Sequence, residues 1–114
     1  MKQDYIRDYT TECFRFFALV EDGKAQPKSE EELADIAAAS GALSQLARSG
    51  KRYIADAIRA VYMTDPHRPL HTKTIAARVR RFATTEGYAD ISSVYRWLQE
   101  GRKLCAEKRK LRVK

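Results

Sequence analysis

Few side chains in this chain are placed to do chemistry, and most of those stand alone. His67 and His71 lie four positions apart, a spacing at which two imidazoles on a helix can share a metal. Pro66 and Pro69 sit among them, and proline breaks helices. The pair is therefore expected in a loop, with no third ligand and no metal. Asp4, Asp8 and Glu12 share one helical face. No serine or histidine organises them and no glycine-rich phosphate loop is present, so the expectation is no enzyme and no cofactor. Cys13 and Cys105 are 92 positions apart and read as reduced core thiols rather than as a ligand pair. The group with a shared purpose is Ser92, Ser93, Arg96, Gln99 and Lys103, with Lys73, Arg78 and Arg81 ahead of it. Hydroxyls, guanidiniums, an amide and ammoniums are the donors that reach phosphate oxygens and base edges in a major groove.

The charge distribution points the same way. Residues 1–66 hold 9 Lys/Arg against 11 Asp/Glu, whereas residues 67–114 hold 13 against 4, giving balances of −2 and +9 within the total of +7. A basic half joined to a mildly acidic one is the electrostatic footprint of a polyanion binder. Membrane-surface binding fits less well, because the basic half lacks a broad apolar helix face beside its charges. No apolar run approaches the roughly 20 residues that cross a bilayer. Nor does the N-terminal stretch read as a secretory signal, so a cytoplasmic location is expected. At 114 residues the chain has room for one core and no more, divided here into an N-terminal part, 1–66, and a basic part, 67–114.

The elements that must position these groups read as five helices with no strand, an all-α fold. The first covers 4–21, with Asp4 as cap and a stripe of Tyr5, Tyr9, Cys13, Phe16, Phe17 and Val20. A loop at 23–28 follows. Ser29 and Glu32 then form a capping box for a second helix, with Leu33, Ile36 and Ala37 inward, running towards Ala47. Gly41, costing about 1 kcal/mol relative to alanine, marks a possible break. The third helix spans 51–64, with Ile54, Ala57, Ile58, Val61 and Tyr62 on one face. The fourth starts near Thr72 and turns Ile75, Ala76, Val79, Phe82 and Ala83 inward. A connector at 84–89 leads to the fifth, from Asp90 or Ser92 to about Leu111, with Ile91, Val94, Leu98, Leu104 and Cys105 inward and Trp97 flanking. The C-terminal 112–114 is expected to fray.

Helices 72–83 and 92–105 form a pair in which apolar residues dock the second helix and its other face is free. Ile75-Ala76 followed by Ile91-Ser92-Ser93-Val94-Tyr95-Arg96-Trp97-Leu98 resembles region four of bacterial sigma factors, and more closely the sigma-like regulators of Gram-positive phages and mobile elements. Ala57-Ile58-Arg59-Ala60-Val61-Tyr62 and Arg102-Lys103-Leu104 are also similar to that group, so the likeness spans residues 54–112. It implies a helix-turn-helix whose second helix enters a major groove. Ile75 and Val94 are nineteen positions apart, about eight more than that family usually has, which lengthens the first helix or enlarges the turn.

The expected function is therefore sequence-specific binding of double-stranded DNA in transcription regulation. Ser92, Ser93, Arg96 and Gln99 would sample bases, and Lys73, Arg78, Arg81 and Lys103 would meet phosphates. Helix N-terminal N–H groups at 92–93 could also hold a phosphate. Residues 1–50 would complete the core or recruit RNA polymerase or a second copy, the latter through the aromatic first helix. Five aromatics in thirteen residues is heavy for one packed face. The alternative is a mobile-element protein that docks on a host protein without binding DNA.

Overall fold

Ser29 opens its helix as its hydroxyl requires. The Ser29 Oγ accepts from the Glu32 N–H at 3.1 Å, and the Glu32 carboxylate accepts from the Lys28 N–H at 2.7 Å, one residue ahead of the usual capping-box donor. A computed structural model describes residues 5–86 and 90–111. Within them lie five helices and no strand: α1 (Tyr5–Glu21), α2 (Glu30–Arg48), α3 (Arg52–Tyr62), α4 (Thr72–Glu86) and α5 (Ile91–Arg109). None is long and apolar enough to cross a membrane. Asp4 and residues 112–114 lie outside the described residues.

All five helices feed one core. Phe14, Ile54, Ile58, Val61, Val79, Val94, Leu98 and Cys105 are its largest fully buried side chains. α3 places its anticipated face inward in full: Ile54, Ala57, Ile58, Val61 and Tyr62 are all buried. Its helical span is Arg52–Tyr62, shorter than expected at both ends. α3 and α5 each pack against all the other helices, whereas α4 packs on α3 and α5 alone. Gly101 permits the closest α3–α5 approach. A Cβ there would lie 2.1 Å from Ile58 Cδ1, so a side chain is excluded unless Ile58 moves.

Several expectations are corrected. α1 keeps Cys13 buried and Tyr9 and Phe17 packed against the core as anticipated, but it is turned part-way from the expected stripe: Thr10, Phe14 and Ala18 are buried too, Phe14 replacing Phe16 at the core, and Tyr5 is 60% exposed. Phe14 stacks on Tyr62, which the other rotation would forbid. On α2 the buried residues are Ala38, Ala39, Ala42, Leu43 and Leu46. Leu33 and Ala37 face outward and Ile36 is half-buried. The acidic first turn carries Leu33 past the body of the core, and small alanines make the contact instead. α2 does not break at Gly41, beside which the Lys108 stem packs. α4 runs on through Glu86, absorbing the first half of the expected connector, and 87–89 fall outside the described residues. α5 ends at Arg109, with Lys110 left-handed at its C-cap, and Ile91 lies 42% exposed rather than inward.

The α3–α4 loop is held from a distance. Arg15 of α1 donates through Nη2 to the carbonyls of Pro66 and Arg68, and its Nη1 lies 3.3 Å from Glu12. His67 and His71 are exposed.

Candidate nucleic-acid interface

The outer face of α5 is built by helical arithmetic. Positions 92, 96, 99 and 103 follow at four, three and four residues, which on a 3.6-residue turn puts them in one line. Ser92, Arg96, Gln99 and Lys103 are all exposed there, while Val94, Leu98 and Cys105 anchor the opposite side in the core. Asp90 starts the helix. Its carboxylate accepts from the Ser93 N–H at 2.8 Å, and hydrogen bonds from Ser93 hold its pKa below the ordinary carboxylate range. The Ser93 hydroxyl in turn accepts from Arg96 Nη2 at 3.0 Å. Ser93 is thus half-buried and engaged in orienting Arg96, not presented to a ligand. The anticipated phosphate position at this N-terminus is taken by Asp90, which supplies the anion itself.

α4 contributes a second stripe. Lys73, Ala77, Arg80 and Thr84 recur at four, three and four residues and are exposed, with exposed Arg81 beside them. Arg78 is the exception among the expected contacts. It points back and donates to the Val61 carbonyl at 2.8 Å, satisfying a backbone acceptor at the end of α3. The two stripes meet where Thr84 and Ser92 line the same open depression between the end of α4 and the start of α5. Among the described residues, none of Lys73, Arg80, Arg81, Arg96 or Lys103 lies within ion-pair distance of a carboxylate.

Not every cation in the basic half is outward. Arg102 donates to the Tyr62 hydroxyl at 2.6 Å. Arg109 donates to Asp35 at 2.7 Å, a hydrogen bond that holds its guanidinium more firmly protonated than usual. With Arg78, these are internal fasteners. Part of the surplus read from the sequence is therefore structural; among the described residues the exposed remainder includes Lys73, Arg80 and Arg81 on α4 and Arg96 and Lys103 on the outer face of α5, with Arg68, Lys108 and Lys110 exposed elsewhere.

The structure also adds residues that the sequence reading passed over. Arg96, Gln99 and Lys103 line a groove whose other wall is the end of α2 and the start of α3: Gln45, Ser49, Lys51 and Tyr53. Gly50, at φ +81°, makes the reversal between those helices. Lys51 lines this groove beside α5, and exposed Arg48 and Arg52 belong to the same turn. Their signal was the run Arg48-Ser49-Gly50-Lys51-Arg52, hidden by the acidic total of the first 66 residues. Lys51 pairs with Glu100 at 2.7 Å, and that hydrogen bond raises its pKa. At the groove floor Trp97 meets Tyr53 edge to face, with centroids 4.8 Å apart. Trp97 is half-buried, a packing residue with one edge in the groove. No known family model, curated protein or solved structure matches this chain.

Proposed function

We propose that the chain is a DNA-binding transcription regulator of sigma-like helix-turn-helix type that acts in the cytoplasm and meets double-stranded DNA along the outer face of α5. The observation that carries this reading is the pair of exposed stripes, Lys73, Arg80 and Thr84 on α4 and Ser92, Arg96, Gln99 and Lys103 on α5, which adjoin at Thr84 and Ser92 and whose cations form no ion pair among the described residues. Lys73, Arg80, Arg81 and Lys103, helped by Arg48 and Arg52, neutralise phosphates. Ser92, Gln99 and Arg96, the last steadied by Ser93, reach base edges. Arg78 has no contact role in this arrangement. RNA polymerase or a second copy is the protein partner, recruited through the N-terminal helices.

A salt titration of DNA affinity tests the reading. With about five phosphate contacts, log affinity falls against log salt with a slope near −4 to −5. Arg96→Ala weakens binding by about 1–3 kcal/mol and relaxes sequence choice, while Arg80→Ala weakens all sequences alike. No binding at low salt, or a flat slope, removes the proposal. The second reading, docking on a host protein without DNA, is favoured by the aromatic, acid-rimmed groove between α1 and α2. A stoichiometric protein partner that survives nuclease treatment, with no DNA bound, would select it.

A further inference from the structure

The N-terminal two turns of α1 leave an amphipathic face without a partner. Tyr5, Tyr9 and Phe16 project into an open groove against α2, with Asp8 and Glu12 from α1 and Glu32 from α2 along its rim. Tyr5 is the most exposed large apolar side chain of the described residues, and it lies tilted against Tyr9 at 5.7 Å. The walls are thus apolar and the rim is negative, on a molecule whose net charge is +7. Among the described residues no three acids converge to hold a metal ion. The inner wall shows which chemistry suits it. Arg109 places its guanidinium 5.8 Å from the Tyr9 ring centre and 2.7 Å from Asp35, to which the Tyr9 hydroxyl also donates at 2.7 Å. An aromatic face beside a carboxylate is what a guanidinium favours over a hydrated ammonium. In the outer part of the groove an aromatic ring and a carboxylate, Tyr5 and Asp8, again line the same surface. Asp8 pairs at the surface with Arg7 at 3.3 Å, and Glu12 is reached at 3.3 Å by the largely buried Arg15.

We propose that this groove docks a basic segment of a partner protein, which lays an arginine and a neighbouring apolar side chain against Tyr5, Phe16 and Asp8. The inference is independent of DNA binding, because it uses none of the residues on α4 or the outer face of α5.

The probe is a short labelled helical peptide with leucine and arginine on one face, titrated into the full chain and followed by fluorescence anisotropy. Saturable binding is expected. Tyr5→Ala and Asp8→Asn should each weaken it about five- to tenfold, and both sites are exposed enough to leave the fold intact. Peptides with leucine replaced by serine, or arginine by glutamate, should bind worse. Glu30→Gln, a carboxylate outside the groove, should change nothing. Absence of saturable binding, indifference to Tyr5→Ala, or an equal loss in Glu30→Gln overturns the proposal. Sedimentation of the protein alone provides the remaining arm: a mass that rises with concentration and is reset by Tyr5→Ala would make a second copy the occupant and overturn the partner assignment.

Discussion

Gly101→Ala tests the packing that aims α5. The added Cβ would stand 2.1 Å from Ile58 Cδ1 and 3.1 Å from its Cγ1, and Ile58 is fully buried. Overpacking of this kind costs about 1–3 kcal/mol. Alanine recovers about 1 kcal/mol over glycine inside a helix. The net expected loss is therefore about 1 kcal/mol, and up to about 2 if Ile58 cannot rotate. Ile58→Val alone removes the Cδ1 methyl and should cost about 1 kcal/mol through lost burial and a small cavity. In the double variant the clashing atom is gone and the helix gain remains, so stability should return near the starting value. The cycle then shows a coupling of about 2 kcal/mol, well beyond the few tenths expected of independent sites. Urea unfolding followed by helical circular dichroism measures all four corners. A Gly101→Ala protein at least as stable as the parent, or two additive losses, would refute the close-approach argument.

Three further outcomes follow from particular groups. Arg78→Met should lower stability by about 1–2 kcal/mol by orphaning the Val61 carbonyl, yet leave unchanged the salt slope of the proposed DNA binding; a slope shallower by about one would mean that Arg78 touches phosphate after all. Tyr9 is pushed up to about 12 by burial and by the hydrogen bond it donates to Asp35. The folded state therefore holds that proton longer than the unfolded chain does, so stability is full below about pH 10 and falls between 10 and 12. Tyr9→Phe should flatten that alkaline decline. The Cys13 thiol is pushed well above the ordinary range by the neighbouring Cys105 thiol and by burial, and both cysteines are buried. Modification by a disulfide reagent at neutral pH should accordingly proceed at the global unfolding rate, and rapid labelling of the native protein would contradict the packing of α1 on α5.

How much was legible beforehand depends on whether a signal was local. Ser29 and Glu32 announced a cap because both partners lie within four residues. The inward face of α3, though not its ends, could be read because its five apolar positions all face one way. Phe14 could not be chosen over Phe16 as the buried ring, since adjacent aromatics give α1 two plausible faces and only Tyr62, far along the chain, decides between them. The spacing of Ser92, Arg96, Gln99 and Lys103 correctly named an exposed line, because Val94 and Leu98 fix the helix rotation. Which arginines were free was not legible. Arg78, Arg102 and Arg109 find Val61, Tyr62 and Asp35 only after the helices pack. Lys51 was not legible for a related reason: charge summed along the sequence does not report what the fold sets beside α5.

The Arg15 strap carries one more consequence. The carbonyls it grips belong to the segment that launches α4, so a residue on the first helix braces the loop from which a strongly cationic helix starts. A fragment starting at His67 would keep its positive charge but lose the brace that points it. The acidic and basic stretches of this chain are thus a mount and the tool clamped in it, and mutations at Arg15 should misdirect α4 without altering a single group on its outer surface.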